Sequence, residues 1–392
     1  MPSLGIAMIG HAFMGAAHSQ AWRTAPRAFD LPLSPRLSVL AGRRADAAAA
    51  AAERLGWEDS TDDWRSVLHR PDVQLVDICT PGDSHAEIAI AALDAGKHVL
   101  CEKPLANTVE EAEAMAAAAR RARERGVHAM VGFNYRRVPA LALARRLIAE
   151  GRLGAIRHVR AAYLQDWLAD PAAPYTWRMD RERAGSGALG DLGAHLVDLT
   201  QYLIGDAITE VSARTETFTP VRRTADGEER EVTVDDAVAA TARFAGGALG
   251  VYEASRCATG RKNALRVEIS GELGAVAFDL ESLNELSFHD ATLPAAEAGF
   301  RRILATEPDH PYLEGWWPPG HGLGYEHTFS HQIRDLVTDL AKGRAPSPSF
   351  EDGLQVQRVL AAIQSSAEAG SRPTAVPTGA ASPVNQQPSH RS

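Results

Sequence analysis

Apolar and polar positions divide the chain near residue 134. Up to that point short, largely apolar runs alternate with stretches of helical spacing. Leu4 to Ile9, Arg36 to Ala41, Val73 to Cys79, His98 to Cys101 and Val127 to Phe133 are the runs, of the kind that suits strands buried on both faces. Between them Ala16 to Thr24, Ala45 to Leu55, Thr61 to Leu68, a stretch ending near Ala95, and Thr108 to Arg125 predict helices. Asp83 or Ser84 is placed to cap the fourth of these, and Gly126 to stop the fifth. Pro26, Pro32 and Pro35 predict a loop before the second strand. Strand and helix alternating in this way predict an α/β domain at 1–134, a doubly wound parallel sheet.

From Pro139 the pattern changes. Pro139 to Glu150 predicts a helix, Ile156 to Asp166 a longer strand, and Leu192 to Ile204 another helix. Ile208 to Phe218, Val232 to Phe244, Ala248 to Ala254, Leu265 to Ser270, Ala275 to Leu280 and Leu283 to Phe288 follow as strands with few helices between. That order predicts an α+β domain on a large, open antiparallel sheet over 135–370, closed by helices at Tyr325 to Ala341 and Glu351 to Ala369. Residues 371–392, with Pro373, Pro377, Pro383 and Pro388, have the composition of a disordered tail.

Composition narrows the function classes. A net charge of −9 argues against a nucleic-acid partner. Cys79, Cys101 and Cys257 form no framework of spacings and suit reduced thiols. There is neither a secretory leader pattern nor an apolar run long enough for a membrane span, so the cytoplasm is expected. No metal site is assigned.

Candidate chemistry gathers at the ends of the predicted strands. Gly10-His11-Ala12-Phe13-Met14-Gly15 stands between the first strand and a helix, the context of a dinucleotide fingerprint. Gly10 allows the tight turn and Gly15 lets the helix pack close, so that backbone N–H groups face a pyrophosphate. Ala12 replaces the middle glycine. After the second strand, Gly42-Arg43-Arg44 holds no acid for the ribose of NAD, and an arginine there suits the 2′-phosphate of NADP. The fourth strand ends in Glu102-Lys103-Pro104, where ligands bind in open α/β sheets. Alone this is a solvated pair in a loop. Asp191 and His195 are four apart on a helix entered through glycines, and Tyr163, Trp167 and Trp177 could stack on a sugar or be ordinary core.

Three motifs in order carry a resemblance: Thr80-Pro81 with His85, Glu102-Lys103-Pro104, and Asp191 with His195. Over about residues 1 to 370 the chain resembles the Gfo/Idh/MocA oxidoreductases. The resemblance implies a Rossmann domain followed by a domain with an open antiparallel sheet. It implies an NAD(P)-dependent sugar or polyol dehydrogenase that oxidises a ring secondary alcohol to a ketone. Tyr163 to Trp167 and Ala184 to Asp191 are similar to members that act at carbon 3 of an anhydrosugar with NAD. Inositol dehydrogenases, a ketosugar reductase and a non-catalytic nicotinamide-binding sensor are the alternatives. Lys103, Asp191 and His195 are the implied catalytic residues. Gly10, Ala12, Phe13, Met14, Gly15, Gly42, Arg43, Arg44, Thr80, Pro81, His85, Glu102, Lys103 and Asn134 are implied around the cofactor, NADP or NAD. Tyr135, Gln165, Trp177 and Arg178 join the catalytic three around the substrate, and a homo-oligomer, dimer or tetramer, is expected by analogy.

Overall fold

A computed structural model describes residues 2–377. Six parallel strands form the first sheet: β1 (Ser3–Ile9), β2 (Ser34–Ala41), β3 (Ser60–Thr61), β4 (Leu75–Ile78), β5 (His98–Cys101) and β6 (Ala129–Val131), in the order β3-β2-β1-β4-β5-β6. Helices α1 (Phe13–Ala28), α2 (Ala45–Leu55), α3 (Trp64–Leu68), α4 (His85–Asp94) and α5 (Val109–Arg123) connect them. Side chains alternate across a strand, so β1 sends Ile6 and Met8 into one core and Ala7 and Ile9 into the other. This is why its sequence is apolar at nearly every position. Strand order reverses between β1 and β4, and the crevice at such a switch point is where ligands bind.

The second sheet has nine strands. After α6 (Pro139–Ala149) come β7 (Ile156–Leu164), α7 (Arg181–Ala184), α8 (Ala194–Ile204), β8 (Ile208–Glu216), and a separate hairpin of β9 (Val221–Arg223) and β10 (Glu229–Glu231). Then follow β11 (Ala237–Phe244), β12 (Leu249–Ser255), β13 (Ala264–Gly271), β14 (Gly274–Asp279), β15 (Glu285–Asp290) and β16 (Arg301–Leu304). Helices α9 (Tyr325–Ala341) and α10 (Phe350–Glu368) and a short β17 (Thr374–Ala375) end the described chain. The order is β16-β15-β14-β13-β7-β12-β11-β8-β17. In β7 the side chains of Val159, Ala161 and Tyr163 are buried, while His158 and Arg160 on the opposite face are exposed. Helix α8 packs on the covered face, with Thr200 Oγ1 2.9 Å from the Tyr252 hydroxyl.

Several expectations need correction. The second sheet is mixed, because β7 and β12 run parallel while its other pairs are antiparallel. Pro26 lies inside α1 near its end and Pro35 inside β2, so only Pro32 falls in the loop. Neither Asp83 nor Ser84 caps α4 with its side chain. The Ser84 hydroxyl instead lies against Thr80 and donates to the Pro81 carbonyl. Residues 371–377 are not free tail: β17 pairs with β8 and Val376 is buried. The remainder of that expected tail, 378–392, lies outside the described residues.

The two C-terminal helices return to the first sheet. Phe329, Ile333, Leu336 and Val337 of α9 join the core of α1, α2 and β1. Helix α10 packs against both α5 and β8. The N-terminal end of α9 thereby reaches residues of the first domain and the segment that follows it, with Phe329 against His18 and Tyr325 against Tyr135. Among the described residues no helix is long and apolar enough to cross a membrane.

Candidate active site

At one end of the cleft, β1 turns at Gly10 into α1. Gly10 has φ +97°, and its N–H donates to the Ala41 carbonyl at 3.0 Å. A Cβ on Gly15 would stand 2.2 Å from the Gly10 carbonyl oxygen, so only glycine lets α1 begin this close to the turn. No side chain caps α1 at Ala12, and its first turn carries no acid. Its free N–H groups and positive dipole end fit the pyrophosphate of a dinucleotide. Phe13 is 67% exposed beside this turn, and Met14 is half-buried. Thr80 and Pro81 leave β4 next to Gly10, whose Cβ position would be 3.1 Å from the Thr80 nitrogen. Gly42 follows β2 beneath the His11 ring. Arg43 and Arg44 are exposed there, and Arg44 Nε lies 3.4 Å from Asp46.

At the other end Lys103 follows β5. Its Nζ donates to the Asp191 main-chain carbonyl at 2.8 Å and lies 3.2 Å from Asp191 Oδ1. Asp191 sits in one turn of π-helix, Leu189–Gly193, that runs into α8. Such turns often occur at functional sites because they re-aim side chains. Asp235 holds the start of that turn, accepting from the N–H groups of Gly187 and Leu189, each at 2.8 Å. Burial pushes the Asp191 carboxyl up, but the charges of Lys103, Arg256 and Arg178 outweigh it and hold it below the usual carboxylate value.

His195 is the first-turn residue of α8 that faces these groups. Its ring is walled by Tyr135 at 4.7 Å, Tyr163 at 5.9 Å and Phe133 at 6.2 Å between centroids. Nδ1 is buried with no hydrogen-bond partner among the described residues. Burial, and then the charge of Lys103, depress its pKa well below the ordinary histidine value, against a smaller opposing effect of Asp191. His195 is therefore neutral near pH 7, the form that accepts a proton.

Tyr135 and Tyr163 extend the wall. Their hydroxyls are 2.7 Å apart, and Tyr163 donates to Asn263 Oδ1 at 2.8 Å, which leaves Tyr135 to donate to Tyr163. Gln165 also donates to Asn263, at 2.7 Å. Trp177 and Arg178 form a short 3₁₀ turn with the guanidinium 4.6 Å from the indole centre. Arg256 Nη1 donates to the Arg178 carbonyl at 3.3 Å, and Nη2 to that of Asp235 at 3.0 Å. The loop bearing Trp177 is thus tied to the turn bearing Asp191.

The structure brings Lys103, Asp191, His195, Tyr135 and Arg178 together and leaves three predicted residues engaged elsewhere. His85 is buried with its two ring nitrogens against the carbonyls of Thr80 and Pro104. Asn134 donates to Thr328. Glu102 points back into the first domain, where its Oε1 is 2.9 Å from His18 Nε2. Sequence reasoning missed His18, Asp235, Asn263 and Arg256. None lies in a short motif, and each acts through contacts to residues distant in sequence.

Comparisons with known proteins agree with this layout. Residues 4–133 match the oxidoreductase family with an NAD-binding Rossmann fold, and residues 141–277 match the GFO/IDH/MocA C-terminal domain. The chain is 44% identical over 382 residues to levoglucosan dehydrogenase of Pseudarthrobacter phenanthrenivorans, covering 94% of this chain and 97% of that one. The crystal structure of an oxidoreductase domain protein from Kribbella flavida superposes with a TM-score of 0.95 at 65% identity, covering 96% of this chain and all (100%) of its own. A levoglucosan dehydrogenase in complex with NADH and levoglucosan superposes with a TM-score of 0.92 at 45% identity, covering 96% of this chain and 99% of its own.

Proposed function

The chain belongs to the Gfo/Idh/MocA family of NAD-binding oxidoreductases, and from that premise we propose that it oxidises a ring secondary alcohol of a sugar or polyol to the ketone. An anhydrosugar of the levoglucosan type is the proposed substrate, with the 3-ketone as product. The observation that carries the proposal is the Lys103 ammonium held against Asp191 beside the neutral His195 ring. A substrate hydroxyl set between them gives its proton to His195. Lys103 stabilises the alkoxide charge as it develops. Asp191, already paired with Lys103, orients a second hydroxyl. Bound NAD supplies the hydride acceptor for the C–H bond. Tyr135, Tyr163 and Phe133 keep water from the base, and Trp177 offers a face to the ring.

The test is a panel of anhydrosugars, sugars and inositols, each with NAD and with NADP, followed by absorbance of the reduced nicotinamide. Levoglucosan is expected to have the highest kcat/KM. An inositol turned over faster would reassign the substrate. At the ribose end, Arg43 and Arg44 can pair with a 2′-phosphate, and Gly42 leaves no carboxylate to repel it. NADP is expected to bind at least as well as NAD. If NAD binds far more tightly, and Arg43→Ala/Arg44→Ala leaves NADP binding unchanged, those arginines serve no phosphate.

The acid limb of kcat/KM follows from His195. Because its pKa is depressed, activity should hold constant from pH 8 down through 6.5 and fall only below. Removing the neighbouring charge in Lys103→Ala should move the limb to higher pH. A wild-type limb above pH 7 would assign the base elsewhere.

We also infer that the uncovered face of the nine-stranded sheet packs on a second copy. Leu249 and Val251 are exposed there among Arg160, Glu253 and Glu268, whose mixed charges suit self-pairing. Light scattering should give a dimer or tetramer, and a monomer at micromolar concentration would refute it.

A further inference from the structure

Behind Lys103 lies a buried charged cluster that the chemistry above does not use. His18, on α1 three residues past Gly15, is fully buried. Its Nδ1 is 2.9 and 3.0 Å from the two oxygens of Asp77 on β4, and its Nε2 is 2.9 Å from Glu102 Oε1 at the end of β5. Asp77 Oδ2 also accepts from Trp22 Nε1 at 2.7 Å, and the Cys79 thiol lies 3.6 Å from Oδ1. The Phe329 ring of α9 closes over His18 with centroids 5.4 Å apart. Glu102 has little room to turn away. A Cβ on Gly132 would stand 2.6 Å from its Oε1, and its Oε2 accepts from the Lys103 N–H at 3.3 Å.

A ring with a carboxylate at each nitrogen satisfies both only when both nitrogens carry protons. Burial disfavours that proton, but Asp77 and Cys79 together outweigh burial and hold His18 well above the ordinary histidine value. The imidazolium then ties three elements at the switch point: the helix that receives the pyrophosphate, the strand leading to Thr80, and the strand leading to Lys103.

We propose that His18 is a positioning residue for Lys103, bridging Asp77 and Glu102 so that Glu102 fixes the Lys103 main chain and aims its ammonium at the substrate alcohol. This rests on the role given above to Lys103. His18 itself touches neither cofactor nor substrate. A displacement of the ammonium by about 1 Å is enough to slow a positioned reaction by up to ~100-fold.

His18→Gln tests it, since one amide cannot donate to carboxylates on opposite sides. In the holoenzyme, kcat should fall by about 10-fold or more, within the range a misplaced group gives. The NADH dissociation constant should stay within about threefold, and the primary isotope effect with a carbon-deuterated substrate should rise as hydride transfer becomes limiting. Because His18 acts through Lys103, His18→Gln/Lys103→Ala should be no slower than Lys103→Ala. A His18→Gln protein that melts cooperatively with unchanged kcat and isotope effect overturns the proposal, as does a double variant whose losses multiply. If His18→Gln does not fold, Trp22→Phe, which removes one hydrogen bond to Asp77, should show the same pattern on a smaller scale, and no change in it also overturns the proposal. A wild type that reduces NAD with no polyol would instead remove the role of Lys103.

Discussion

Lys103→Ala and His195→Ala are each expected to lower kcat by ~100-fold or more, the usual scale for losing electrostatic or acid–base help. Lys103 comes from the strand end of the first domain and His195 from a helix on the second sheet. They meet only because α8 packs on the covered face of that sheet and the π-turn at Leu189–Gly193 carries Asp191 to the ammonium. NAD affinity should stay nearly constant in both variants, because the pyrophosphate cradle lies at α1. The double variant should be little worse than the worse single one, since the two share one alcohol and act as a unit. Asp191→Ala should chiefly raise KM. Steady-state kinetics with titration of NADH separates these effects. If His195→Ala keeps most of its turnover at neutral pH, another group takes the proton.

Gly15→Ala is expected to weaken NADH binding by ~100-fold, about 2.7 kcal/mol. The added methyl would stand 2.2 Å from the Gly10 carbonyl oxygen and 2.9 Å from the carbonyl carbon, and both of those atoms belong to the backbone, which cannot swing aside as a side chain can. Helix α1 must then move off the turn, and its N–H groups leave the place where the pyrophosphate lies. The loss of one charge-assisted hydrogen bond, at roughly 1.5 to 3 kcal/mol, accounts for the weaker binding. Calorimetric titration with NADH measures it, and a melting curve shows whether the variant is folded. A folded variant that binds NADH within threefold of wild type would place the dinucleotide elsewhere.

Much of the first domain was legible because its strands are apolar on both faces and its helices have helical spacing. The bounds of α2 and α9 were read to the residue. Ser60–Thr61 escaped notice because two residues on a sheet edge carry no period. Pro26 and Pro35 misled: α1 carries Pro26 in its last turn and ends two residues beyond it, and Pro35 sits second in β2, near the strand start where a missing N–H is tolerated. The parallel pairing of β7 with β12 is set by which strands meet across α8, and local pattern does not carry that. At the site, Lys103, Asp191 and His195 were legible as motifs. Glu102 was legible as part of one motif, yet its carboxylate turns inward to His18. That partner lies 84 residues away and only the folded chain brings the two together.

The most direct test of the account is rapid mixing of the NAD-loaded protein with levoglucosan and, separately, with levoglucosan deuterated at the ring carbinol carbons. An exponential rise of reduced nicotinamide is expected, slowed severalfold by deuterium at carbon 3 alone. No reduced nicotinamide from levoglucosan or any other ring alcohol, or a rise indifferent to deuterium at every carbon in both fast and slow phases, would contradict it.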